Sequence, residues 1–143
     1  MSQSQTGYLD RCIYTIRHSS HLKELERTAG GKGSFEEKSR WVTGERLLQE
    51  AHRLGKHLAV LFAPADVEGG VCWYATLTEI KIGDERDGID RTRYSFQGLC
   101  RLSEELPLDT LIKAIDGRPL SWRYIRPYAV CRTPPVLQEL AGP

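Results

Sequence analysis

Aromatic and arginine side chains interleave along this chain in a way that offers flat faces beside fixed positive charge. Trp41, Trp73, Tyr74, Tyr94, Phe96, Trp122, Tyr124 and Tyr128 fall near Arg40, Arg93, Arg118, Arg123, Arg126 and Arg132. The stretch Arg118–Tyr128 alone holds three arginines and three aromatics in eleven residues. Aromatic faces stack on unpaired bases at roughly 1–3 kcal/mol per base, and guanidinium groups hold phosphates. Trp73, Tyr94 and Phe96 sit in apolar strand patterns and equally fit a core. Trp41 and Trp122 fall in irregular segments, where core and pocket roles are both open.

Other residue types point to less chemistry. The chain has no G-x-S-x-G, Walker, H-E-x-x-H or dinucleotide fingerprint, so no cofactor is expected. Gly30-Gly31-Lys32-Gly33-Ser34 lacks the Walker spacing and reads as a loop whose amides and Lys32 could touch a phosphate. His18, His21, His52 and His57 share no metal-ligand spacing, and Asp84, Glu85, Asp87 and Asp90 lack the order of a calcium loop. No metal site is expected. Cys12, Cys72, Cys100 and Cys131 are too widely spaced for a C-x-x-C pair. Three of them lie in apolar runs, which suits buried free thiols and a reducing compartment.

The elements that must position these residues follow from hydrophobic periodicity. Residues 1–7 read as a polar tail and 8–143 as one domain. Alternation predicts a strand over Tyr8–Arg17, and Ser19 or Ser20 could cap a short helix, His21–Arg27. Ala29–Ser34 reads as a loop and Phe35–Val42 as irregular. Thr43 is placed to cap a helix from Gly44 to Leu54, whose Leu47, Leu48, Ala51 and Leu54 make one apolar stripe and which Gly55 ends. His57–Ala63 and Val71–Ile82 read as a hairpin with a break in alternation near Glu79. An acidic turn, Gly83–Asp90, precedes a third strand, Thr92–Leu102. A helix is expected over Leu108–Ile115 and a last strand over Pro127–Arg132, with an exit segment from Thr133. This is an α+β pattern, with a curved antiparallel or mixed sheet flanked by short helices.

Length and charge bound the function. The chain has 143 residues and a formal net charge of +1, so no whole-molecule field draws it to DNA or a membrane. Any basic surface has to be local. No apolar run approaches the roughly 20 residues of a membrane span, and no signal peptide is visible, which gives a cytoplasmic, soluble expectation.

Trp41, the strand His57–Ala63, the strand to Ile82, Thr92-Arg93-Tyr94-Ser95-Phe96, the helix Leu108–Ile115 and the closing Arg126-Pro127-Tyr128 with Thr133-Pro134 give an order that resembles the PUA-like superfamily. The similarity is greatest to its EVE and YTH-related branch and spans about two-thirds of the chain. It implies a small curved mixed β-barrel flanked by short helices. It also implies a nucleic-acid partner, DNA or RNA, whose modified or flipped base enters an aromatic-lined pocket. On that resemblance Trp41, Trp73 and Trp122 would wall the pocket and Ser39 and Thr43 would read the base edge. Lys32, Lys38, Arg40 and Arg123 would hold phosphates. The ASCH branch implies a competing enzyme, an RNA hydrolase or acetylcytidine amidohydrolase using Lys38, Thr43 and Glu79. A protein-interaction domain is a third reading, and the oligomeric state is left open.

Overall fold

The apolar run beginning at Leu58 lies at the centre of the protein. The computed structural model describes residues 7–66, 69–83, 92–120 and 128–141. In chain order its elements are β1 (Arg11–Arg17), α1 (Ser19–Leu25), β2 (Gly33–Glu37), α2 (Val42–Leu54) and β3 (Ala59–Pro64). There follow β4 (Val71–Ile82), β5 (Thr92–Leu106), β6 (Ala129–Arg132) and α3 (Pro135–Ala141). The six strands form one mixed sheet, ordered β2-β5-β4-β3-β1-β6. β1 and β3 run parallel, with Ile13 opposite Val60, and every other neighbour pair is antiparallel.

Every residue of β3 is buried because the sheet is covered on both faces. Ile13, Val60, Phe62, Trp73 and Tyr94 face one cluster, with Leu47, Leu48 and Ala51 of α2 upon it. Cys12, Tyr14, Leu61, Val71 and Cys131 face the other, closed by Leu111, Leu120 and Leu137. Period-two alternation sends neighbouring residues of one strand into different cores.

The sheet curls but does not close as a barrel. The curl carries β2 back towards β1. There Thr15 Oγ1 donates to Glu37 Oε1 at 3.3 Å, and Arg17 donates to Glu37 Oε1 at 2.9 Å and to the Glu36 carbonyl at 2.5 Å. A strand has two edges, and those of β1 are taken by β3 and β6. No edge is left for β2, so side chains bridge the seam where the expected barrel would have a backbone ladder.

Several local expectations change. Phe35, read as irregular, belongs to edge strand β2, whose register is set by β5 through Phe35↔Tyr94. Leu108–Ile115 is not a helix. A 3₁₀ turn covers Leu108–Thr110, and extended backbone then pairs Ile112 with Pro119 and Lys113 with Cys131. The exit segment instead forms α3. α1 begins at Ser19, capped by His18, whose Nδ1 accepts from the Ser20 amide at 3.3 Å. The expected bulge near Glu79 is present, as a register shift between Leu77 and Glu79. The tail over 1–6, the acidic turn over 84–90, and Trp122 and Arg123 lie outside the described residues. Among those described, no helix is long and apolar enough to cross a membrane. All four cysteines are free, with Cys12 directly opposite Cys131 across β1 and β6.

Candidate functional site

The start of α2 is fixed from both sides. Trp41 occupies its cap position with no side-chain cap, and the Trp41 carbonyl accepts from the Glu45 amide at 2.9 Å. Its own amide donates to Thr92 Oγ1 at 3.0 Å, and that hydroxyl donates to the Ser39 carbonyl at 2.8 Å. Thr92 is fully buried, so this relay ties the approach to α2 into β5. Thr43, expected as the cap, is displaced by a tertiary one: the Gly44 amide, unpaired within the helix, donates to Tyr128 Oη at 3.0 Å. A side chain at Gly44 would bring its Cβ to 2.8 Å from Ile13 Cδ1, so glycine lets the helix end approach β1.

Three rings meet at this point. Tyr94 stacks on Trp41 at 4.2 Å and 18°, and Tyr128 stacks on Trp41 at 4.9 Å and 15°. Two rings so close and so nearly parallel to one indole would overlap if they shared a face, so they take opposite faces. Trp41 is 0 % exposed. Burial pushes the Tyr94 phenol well up. It also raises the Tyr128 phenol, against the hydrogen bond from Gly44. Both phenols therefore stay neutral and the stack is uncharged at its core.

Tyr128 is the outer ring of the stack and lines a cleft of about 480 Å³. Thr43 and Leu47 of α2 form one wall, Ala129 and Val130 of β6 another, and Lys113 to Ile115 the rim, with Arg11 at one end. Tyr128 thus connects the buried stack to the cleft, with one face against Trp41. The volume falls in the range of about 300–1,000 Å³ that holds small organic ligands. The two cations are oriented by carboxylates. Arg11 donates to Glu50 at 2.5 Å and Asp10 at 3.2 Å, and Lys113 lies 3.3 Å from Asp116. The arrangement can stack a flat apolar ring and meet an anion beside it.

The structure separates the residues singled out from the sequence. Thr43 lines the cleft. Trp41 lies behind it, with both ring faces covered, and so backs the pocket without walling it. Trp73 is 3 % exposed, with the Arg101 guanidinium 4.8 Å from its ring centroid. It too is held inside the protein. Ser39 Oγ and the Nε1 atoms of Trp41 and Trp73 are buried without a hydrogen-bond partner among the described residues. Lys32, Lys38 and Arg40 are exposed and are not part of the cleft. Glu79 is exposed on β4 with Lys81 at 3.8 Å, so Lys38, Thr43 and Glu79 do not converge in this cleft as a catalytic set would. The residues sequence reasoning missed are Arg11, Leu47, Lys113 and above all Tyr128. Only Tyr128 carried a signal, as the last ring of the aromatic and arginine run.

Neither a family model nor a curated protein matches this sequence. Among solved structures, the chain is similar to the YTH domain of the MRB1 protein of Zygosaccharomyces rouxii, solved in complex with N6-methyladenosine RNA. The identity is 18 %, the alignment covers 93 % of this chain and 83 % of that one, and the TM-score is 0.46.

Proposed function

We propose that this domain binds nucleic acid by taking one unpaired base into the cleft and stacking it on Tyr128. The observation that carries the reading is the three-ring stack ending in the cleft. Tyr128 is held by an indole behind it and by the Gly44 amide at its hydroxyl, so a base would meet a platform that needs no ordering on binding. A base inside a duplex cannot reach such a surface, so the ligand is single-stranded or has its base flipped out. Arg11 and Lys113 meet the phosphates on either side of that base. Thr43, which lines the cleft, would hydrogen-bond its edge.

The apolar wall extends the reading to a modified base. A methyl group on the base edge would bury against Leu47 or Val130. One buried methyl contributes about 0.8 kcal/mol, a preference of about fourfold over the unmodified base.

The test is equilibrium binding of single-stranded RNA and DNA oligomers, with adenine and N6-methyladenine as the first pair compared. Tyr128→Ala is expected to weaken binding by about 5- to 150-fold, the equivalent of 1–3 kcal/mol of stacking. Tyr128→Phe keeps the ring and is expected to retain most of the affinity. Failure of the native protein to bind any oligomer, or equal binding by Tyr128→Ala, would falsify the reading.

A further inference from the structure

A second concave surface lies at the far end of α2. Its volume is about 470 Å³, and it is lined by His52, Lys56 and His57 on one side and Thr76, Thr78 and Gln97 on the other. The lining contains one lysine, two imidazoles, two hydroxyls and a carboxamide but no carboxylate. That composition suits a phosphate, which accepts hydrogen bonds from all of them.

Positive charge at a helix C-terminus has an ordinary explanation, since the macrodipole leaves about half a negative charge there. It accounts for His52 and Arg53, in the last turn of α2. It does not account for Lys56 and His57, which follow Gly55. Gly55 adopts φ 67°, and its cap already satisfies the Ala51 and His52 carbonyls. The His57 backbone is fastened on both sides, its amide donating to the Gly7 carbonyl and its carbonyl accepting from the Leu9 amide. His57 is thereby held at the rim beside Tyr8, with ring centroids 6.1 Å apart.

The outer face of α2 connects this groove to the cleft. Arg46 and Arg53 are seven residues apart and therefore on one face, opposite the buried stripe of Leu47, Leu48 and Ala51. Both are exposed, while Glu50 of the same helix is held by Arg11. Thr43 to Gly55 spans about 18 Å at 1.5 Å per residue. A stacked strand advancing about 3.4 Å per nucleotide covers that distance in about five nucleotides.

We propose that a single-stranded nucleic acid seated by its base in the cleft carries its phosphates over Arg46 and Arg53 into the groove of His52, Lys56 and His57. This rests on the base-stacking reading of the cleft. It adds a direction for the strand and a minimum length that the cleft alone does not require.

Binding of riboadenylate tri- and decanucleotides to the full chain, across a salt series, tests it. The decanucleotide is expected to bind several-fold more tightly than the trinucleotide. In Arg53→Ala/Lys56→Ala that advantage disappears, and the slope of log affinity against log salt shrinks by about 1.4, at about 0.7 for each phosphate no longer neutralised. Both positions are exposed, and an unchanged thermal melt checks that the variant is folded. A decanucleotide whose affinity and salt slope are unaltered in the double variant, yet reduced by Tyr128→Ala, overturns the track and leaves the cleft standing. Sensitivity to the double variant with indifference to Tyr128→Ala overturns the seating of the base in the cleft, and with it a track that begins there. Absence of binding by the native chain overturns both.

Discussion

Trp41 has both faces of its indole covered by tyrosines, so its role is to position Tyr128. Replacing a buried aromatic of this kind by alanine removes the side chain's burial and leaves a cavity, at a typical cost of about 3–5 kcal/mol. Trp41→Ala is therefore expected to lower the midpoint of urea unfolding sharply, and its loss of oligomer binding should follow from the loss of fold. A variant with native stability would mean that the stack does not form. Tyr128→Ala differs, because Tyr128 is only half-buried and is the ring that meets the cleft. Sequence reasoning recognised the aromatic and arginine interleaving but gave pocket roles to Trp41 and Trp73, which the fold buries. Residue type and spacing do not say which ring of a stack ends up outermost. That depends on β6 delivering Tyr128 to the open side of Trp41.

The seam between β1 and β2 is where element packing has an electrostatic consequence. Glu37 lies in that seam with Arg17 and Thr15. Burial pushes its carboxyl above the ordinary value of 4.5, more than Arg17 and Thr15 pull it down. A folded-state pKa raised above the unfolded one means that the native state binds the proton more tightly. The contribution of Glu37 is then fully present below pH 4.5 and is lost as pH rises through the folded value. Glu37→Gln removes the titration while Arg17 stays charged throughout. Native protein is expected to lose stability relative to Glu37→Gln between pH 4.5 and 7. Urea melts at several pH values measure this, and a relative gain over that window would contradict the burial of the carboxylate. The strands of this seam were unevenly legible. β1 shows alternation, but β2 is five residues of an edge strand, half exposed, with Gly33 and two glutamates. Its pairing with β5 is what makes it a strand. The converse holds for Leu108–Ile115, whose helical composition yields to bridges with Pro119 and Cys131.

At the scale of the whole molecule, the centre of the sheet, β3 and the middle of β1, is buried on both faces. Three of the four cysteines carry that burial in their chemistry. Cys12 lies well above its ordinary range through burial and the neighbouring Cys131. Burial raises Cys131 to about 12, against the attraction of Lys113. Burial also raises Cys72, with Glu105 adding to it. Cys100 is exposed. A thiol reagent at neutral pH is expected to modify Cys100 rapidly in the native protein, and Cys12 and Cys131 only on unfolding. Rapid modification of Cys12 in the native state would mean that β6 does not cover it.

The chain's own periodicity determined α2, the β3–β4 hairpin, the bulge near Glu79 and the left-handed stop at Gly55. In each of these the local pattern and the final environment agree. Tertiary structure alone decided that the sheet stays open, because β6 takes the edge of β1 that a closing strand would need. It also decided that Arg11, Lys113 and Tyr128, drawn from opposite ends of the chain, share a cleft with Thr43. Contacts between residues more than a hundred positions apart leave no periodic trace in a single sequence, since the hydrophobic pattern records only which face is buried and not what buries it.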